Sequence, residues 1–293
     1  MGTSFAQQVE ADVRRALQED VGAGDLTAAL VPAGQTARAA IVCREAAVIC
    51  GQPWVMETLR QVAPSSQAIW HVTDGRLCAP GATIVEICGS ARGLLTAERT
   101  CLNFLQTLSA VATTTAKFVQ AVAGTRAAIL DTRKTIPGLR VAQKYAVRCG
   151  GGKNHRMGLH DAILIKENHI AACGGLTAAY RAAYRAAKAN GAAANFIQVE
   201  VETLAQLEEA LAAGVKMVLL DNMPLARIRE AVQLAAGRCS LEISGGVSFE
   251  RLRVLAETGV DRISAGTLVK DLRAIDFSMR FNAAPVESTR AAA

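Results

Sequence analysis

The stretch DTRKTIPGLR (131–140) places Asp131, Arg133 and Lys134 directly behind a short apolar run, residues 127–130. Slightly further on, GGGKNHR (150–156) is a three-glycine loop carrying His155 and Arg156. Arginine grips planar carboxylates with two parallel hydrogen bonds, and lysine adds a point charge. Cations gathered this densely imply a ligand with several negative groups. Lys166 extends the set, while Glu200 and Asp221 supply the opposite charge. Two carboxylates suit a hard cation such as Mg2+ shared with substrate phosphates. They also suit a cation developing on a sugar, and a structural ion pair with nearby lysines is the competing reading. Ser244-Gly245-Gly246 and Ser264-Ala265-Gly266 are glycine turns that let backbone N–H groups approach phosphate oxygens. Their plainer reading is as tight turns between elements.

Each group follows an apolar, strand-like run. The runs span 127–130, 162–165, 196–201, 216–220, 240–244 and 260–264. Helical patterns at 176–190, 203–213, 224–235 and 248–258 separate most of them. Strand, helix, strand at this spacing predicts βαβ units on a parallel sheet, as a barrel or a doubly wound fold. A GxGxxG fingerprint is absent, which counts against a dinucleotide-binding sheet. In a parallel barrel all carboxyl ends of the strands share one rim, so the polar groups converge on one mouth. Barrel phosphate sites commonly follow the last two strands, where both glycine turns fall. A helix starting near Ser248 would add its positive end.

Upstream, Ser4 and Gln7 form a capping box for a helix with Phe5, Val9, Val13 and Leu17 on one face. That helix stops near EDVGAGDLT (19–27). Short strands at 39–43, 46–49, 68–72 and 83–88, turned at Asp74-Gly75 and Pro80-Gly81, predict an antiparallel sheet with a helix at 53–62. A long helical pattern covers 94–122, and Thr113-Thr114-Thr115 predicts a break within it. The alternation in 276–281 reads as a strand returning to the first domain. The domains are therefore 1–112, joined by 273–285, and a barrel over 113–272. The tail PVESTRAAA (285–293) reads as disordered. Arg140, Lys144 and Arg148 share an i, i+4 face and read as solvated helix residues. His71 and His160 read as structural, and His169 is open.

The chain has 293 residues, half of them apolar, which is enough for two cored domains. A net charge of +6 fits nucleic acid or an anionic substrate alike. The basic cluster at 133–156 holds one aromatic residue, Tyr145, so a base-stacking surface is not expected. No apolar stretch reaches the ~18 residues of a membrane span, and the N-terminus lacks the apolar core of a signal peptide. Eight cysteines without CxxC pairs or zinc-like spacing read as reduced, small hydrophobes of a cytoplasmic protein.

The motifs ERTCLNFLQTLSAVAT (98–113), DTRKTIPGLR, GGGKNHRMGLHDAILIKENHI (150–170), VEVET (199–203), LLDN (219–222), EISGG (242–246) and ISAG (263–266) resemble the quinolinate phosphoribosyltransferase family. The resemblance implies an N-terminal α+β sandwich-type domain and an incomplete parallel (β/α) barrel of about six units. It implies conversion of quinolinate and phosphoribosyl pyrophosphate (PRPP) to nicotinate mononucleotide, pyrophosphate and CO2, with Mg2+, in NAD biosynthesis. It further implies a homodimer, or a dimer-based oligomer, whose active site is shared. By this resemblance Arg133, Thr135, His155, Arg156 and Lys166 contact quinolinate, and Arg99 reaches the site from the neighbouring subunit. Lys134 touches both ligands. Glu200 and Asp221 face the ribose and the metal, and Ser244, Gly245, Gly246, Ala265, Gly266 and Thr267 cradle the 5′-phosphate. Glu167 stands where the family often has Asp. A relative called ModD, found beside molybdate transport, shares much of the pattern, and a phosphoribosyltransferase for another aromatic acid, nicotinate for instance, is an alternative function. A Schiff-base lyase built on Lys134 or Lys166 is a further alternative.

Overall fold

A computed structural model of the chain describes residues 4–189 and 194–282, and statements of absence refer to these. The expected disordered tail, the end of the returning segment (283–285) and the last residue of the helix at 176–190 lie outside the described residues. Two compact units are present. One contains the described parts of Met1–Thr114, Pro137–Gly151 and Leu272–Ala293, and the other Thr115–Ile136 and Gly152–Asp271.

The first unit opens with α1 (Phe5–Asp20), whose Ser4–Gln7 capping box satisfies otherwise orphaned N–H groups. Its Val9, Val13 and Leu17 stripe is buried. There follow β1 (Thr36–Cys43), β2 (Ala47–Val48), α2 (Gln52–Val62), β3 (Gln67–Trp70), β4 (Leu77–Cys78), β5 (Thr83–Ser90) and α3 (Ala91–Ala121). The last strand of the chain, Phe277–Asn282, pairs antiparallel with β1, giving a four-stranded sheet that continues through β5 to β3.

The threonine run does not break α3, which is one helix of 31 residues. Burial outweighs propensity here. Thr115 is fully buried, and the Thr113 hydroxyl accepts the Val48 N–H at 2.9 Å. A second departure concerns the basic face at 140–148. Those residues lie on the helix Arg140–Cys149, where Lys144 is fully buried beside Ala146 and Val147. An i, i+4 spacing says which residues share a face, not whether that face is wet.

All eight cysteines are free thiols, and five are buried. The thiols of Cys50 and Cys149 lie within 4.8 Å of the Asp74 carboxylate. That carboxylate accepts the Gly51 and Gln52 N–H groups at 3.1 Å and the Tyr145 hydroxyl at 2.9 Å. It is thus committed to capping α2.

The second unit carries β6 (Ala128–Leu130). After the helix Arg140–Cys149 (α4) come β7 (Ile163–Ile165), α5 (Glu167–Ala172), α6 (Leu176–Ala189), β8 (Ile197–Val201), α7 (Leu204–Ala212), β9 (Met217–Asp221), α8 (Leu225–Ala235), β10 (Ser240–Ser244), α9 (Leu252–Ala256), β11 (Arg262–Ser264) and α10 (Thr267–Lys270). The returning strand is then β12. β6 to β11 form one parallel sheet in the order β6-β11-β10-β9-β8-β7. Its end strands are not paired to each other, so the barrel is incomplete, as the resemblance implies. The helix expected from Ser248 begins as a 3₁₀ turn, Phe249–Arg251, and α9 has only five residues, leaving little aligned dipole for a phosphate.

Candidate active site

Parallel pairing brings the carboxyl ends of all six strands to one rim of the second unit, where a cavity of about 450 Å3 opens. Every strand contributes to its wall. Thr132, Arg133 and Lys134 follow β6, and Lys166 follows β7. Glu200 comes from β8, Asp221 and Asn222 from the end of β9, Ser244, Gly245 and Gly246 from β10, and Ser264 from β11. A cavity of similar volume on the antiparallel sheet has three charged residues, Arg44, Glu86 and Arg280, with no such convergence of strand ends.

His155 and Arg156 enter from the glycine loop. Its Lys153 joins the free edge of β6, donating to Ile129 O at 2.8 Å and accepting from Asp131 N at 3.2 Å. Buried Asp131 then accepts the His155 N–H at 2.9 Å and the Asn154 side-chain amide. Asp131 is therefore an anchor beneath the loop and not part of the cavity wall. Beyond it, the Asp161 carboxylate accepts the Met157 and Gly158 N–H groups at 2.8 and 2.9 Å. The loop is pinned on both sides of Arg156.

The electrostatics divide the cavity. Burial, and then the like charge of Arg133, hold Arg156 below the usual guanidinium range. Two cations held at mutual cost mark a place for an anion. Opposite them, burial raises the Glu200 carboxyl above its ordinary value; Lys166 opposes that rise, and Asp221 and Glu167 add to it. Lys166 Nζ donates to both Glu200 oxygens, at 2.9 and 2.8 Å. The ion pair weighed as the plainer reading of Glu200 is thus present, inside the same cavity. Two hard-oxygen donors on adjacent strands, lining one cavity, fit a divalent cation.

Not every expected residue lines the cavity. Ala265, Gly266 and Thr267 do not, although a Cβ on Gly266 would meet Lys134 Cδ at 3.2 Å. Thr135 also stands outside the lining, and Arg99 is exposed on α3 in the first unit. Glu202, on the parity of Glu200, falls beyond the end of β8 and is exposed. His169 faces its own backbone, accepting the Lys166 N–H at 3.0 Å. His71 lies 3.4 Å from Glu86 on the antiparallel sheet.

Sequence reasoning missed the floor. Gln198 and Glu242 are fully buried, and Arg262 Nε donates to Glu242 at 2.8 Å. Gln198 shares the parity of Glu200, and Glu242 interrupts an otherwise apolar strand. Both signals are readable in IQVEV and SLEIS.

Comparison with known proteins agrees with this architecture. Residues 25–109 and 111–280 match the N-terminal and C-terminal domains described as quinolinate phosphoribosyl transferase. The chain is 42% identical over 261 residues to a probable nicotinate-nucleotide pyrophosphorylase [carboxylating] of Bacillus subtilis, covering 89% of each chain. It is 43% identical over 274 residues to the Mycobacterium leprae nicotinate-nucleotide pyrophosphorylase [carboxylating], covering 91% of this chain and 95% of the relative. The solved nicotinate-nucleotide pyrophosphorylase of Francisella tularensis superposes with a TM-score of 0.90 at 42% identity, covering 95% of this chain and 98% of that one. The chain belongs to the quinolinate phosphoribosyltransferase family.

Proposed function

We propose that the chain transfers the phosphoribosyl group of PRPP to the ring nitrogen of quinolinate, releasing pyrophosphate and CO2 and leaving nicotinate mononucleotide. One observation carries the reading. A single cavity sets Arg133, Arg156 and Lys166 against Glu200 and Asp221, with a glycine turn at its edge. A diacid fits the cations, a sugar acquiring positive charge fits the carboxylates, and a phosphate fits the N–H groups of Ser244-Gly245-Gly246.

In this reading Arg133, Arg156 and Lys166 hold the two carboxylates and aim the pyridine nitrogen at ribose C1. The bond from C1 to pyrophosphate breaks with its electron pair leaving on oxygen. The ring nitrogen supplies the pair for the new C–N bond and becomes cationic. That ring then accepts the electrons of the breaking bond to the 2-carboxylate, which leaves as CO2, and a proton takes its place. Glu200 and Asp221 stabilise the positive sugar and are the residues that would hold Mg2+. The ion, when bound, supplies positive charge to the pyrophosphate oxygens. Lys134, exposed at the rim, reaches both ligands. Glu200 becomes available to the ribose or the ion when Lys166 turns to the acid.

Homodimeric assembly with Arg99 completing a neighbour's site, and a cytoplasmic location, belong to the same proposal. No helix among the described residues is long and apolar enough to cross a membrane. The test is turnover of quinolinate and PRPP with Mg2+, following nicotinate mononucleotide and labelled CO2 together. Equal amounts of both products support the reading. Product from nicotinate without CO2 release would replace it with a phosphoribosyltransferase of another aromatic acid.

A further inference from the structure

We propose that His155 is a neutral positioning residue. Its ring is locked with the proton on Nε2 by Gln198 and Glu242, and it serves to aim Arg156, not to add charge. The ring's partners dictate this. Nδ1 lies 2.8 Å from the backbone N–H of Arg156, a donor only, so Nδ1 keeps its lone pair. Nε2 lies 2.9 Å from Gln198 Oε1 and 3.6 Å from Glu242 Oε1, both acceptors. The Gln198 amide cannot be reversed, because its NH2 donates to Glu242 Oε2 at 3.1 Å. Arg262 Nε donates to the same oxygen at 2.8 Å, so that oxygen is an acceptor. Hydrogen bonds therefore run in one direction, from Arg262 and Gln198 into Glu242 and from His155 into Gln198. A second proton on the ring would set an Nδ1–H against the Arg156 N–H, donor against donor.

The consequence lies one residue along the chain. With its backbone held by Asp131 and its ring by Gln198, His155 fixes the amide from which Arg156 starts. The Phe196 ring packs against the imidazole in a T-shaped pair, 5.3 Å between centroids at 85°. Gln198 Oε1 takes the Nε2–H at 2.9 Å, and Glu242 Oε1 stands behind it at 3.6 Å, beyond hydrogen-bond distance. The positive charge of the mouth then resides in its arginines and lysines.

The kinetic arm of the test rests on the proposed reaction, and the spectroscopic arm does not. The protein with 15N-labelled histidine is recorded by long-range proton–nitrogen correlation at neutral pH. Of four histidines, the one whose signals vanish in His155→Gln is expected to show a single protonated nitrogen, Nε2. Both nitrogens protonated, or Nδ1 protonated, overturns the proposal. Should His155→Gln not fold, Gln198→Met identifies the same ring by shifting its signals. Glutamine can donate where Nε2–H did, carries no charge and lacks the Nδ1 acceptor. His155→Gln is therefore expected to lose about tenfold in kcat/KM for quinolinate, the scale of one hydrogen bond. A loss of about a thousandfold or more points to a required cation and overturns it. A protein inactive on quinolinate that still shows the Nε2–H ring refutes the substrate reading and supports the tautomer.

Discussion

Gly245→Ala probes the glycine turn most sharply. Gly245 has φ +83°, a left-handed backbone that an alanine adopts at a cost of about 1–2 kcal/mol. Its Cβ would also sit 2.1 Å from Asn222 Oδ1 and 2.6 Å from Asn222 Cγ. Asn222, itself at φ 52°, must swing away and give up its 2.8 Å hydrogen bond to Asp221, worth about 1 kcal/mol. The sum, about 2–3 kcal/mol, corresponds to a fall in Tm of roughly 5–10 °C for a unit of this size. Gly246→Ala is the internal control. It has φ 57°, and its Cβ meets nothing nearer than Arg251 Nη1 at 3.8 Å, so only the backbone cost applies and about half the shift is expected. Adding Asn222→Gly to Gly245→Ala removes the obstructing side chain and should recover about 1 kcal/mol as a coupling in a double-mutant cycle. Thermal melts measure all five proteins: the parent, the two alanine variants, Asn222→Gly and the double variant. In turnover assays Gly245→Ala should raise the KM for PRPP, because Asn222 displaces Asp221 and the N–H groups lose their aim. Equal shifts for the two alanines, with no coupling to Asn222, would show that the close approach is not a feature of the folded protein.

Two further outcomes follow. Burial pushes the Asp161 carboxyl up, but the Met157 and Gly158 N–H groups bring it below its ordinary value of 3.8. A depressed carboxyl contributes stability above the unfolded value that is lost as the pH falls through the folded one. Asp161→Asn should therefore lower Tm at pH 7, with the gap closing as the pH drops below about 4; a gap independent of pH would sink the assignment. Mixing Arg99→Ala protein with Lys134→Ala protein should restore part of the activity through hybrid dimers, and no rescue under demonstrated subunit exchange would remove Arg99 from a neighbour's site.

The second unit was readable because its physics is periodic. A run such as MVLLD is apolar through its length and ends in a polar residue, the pattern of a strand buried on both faces with its tip at a rim. Glu200, Asp221 and Gly245 stand at or just past the ends of such runs and line one cavity. What stayed hidden depends on long-range partners. Nothing local says that Lys144 is buried, that Thr113 answers the Val48 N–H, or that Gln198 bonds Glu242 across 44 residues of chain. The polar floor left only parity as a trace, since Gln198 precedes Glu200 by two residues on one strand. A buried carboxylate in a strand is easily taken for a rim residue when the depth of each position is unknown.

Strand order alone would keep the cations apart. β6 and β7 are the two ends of the six-stranded sheet, so Arg133 and Lys166 follow strands separated by five spacings. On a flat sheet that is roughly 24 Å. Both nevertheless line one cavity of about 450 Å3. Only a sheet curled until its edges approach can do this, and the gap that remains is where the glycine loop enters. Lys153 covers the open edge of β6, which would otherwise present unpaired backbone groups. The next three residues then turn inward as Asn154, His155 and Arg156. An incomplete barrel therefore does more here than a closed one would: the missing strand pairs leave a slot through which Arg156 enters the cavity from the side. A closed ring of hydrogen bonds would place Arg133 and Lys166 on adjacent strands but leave no edge for the loop to dock on. The same curl that gathers the cations makes room for Arg156.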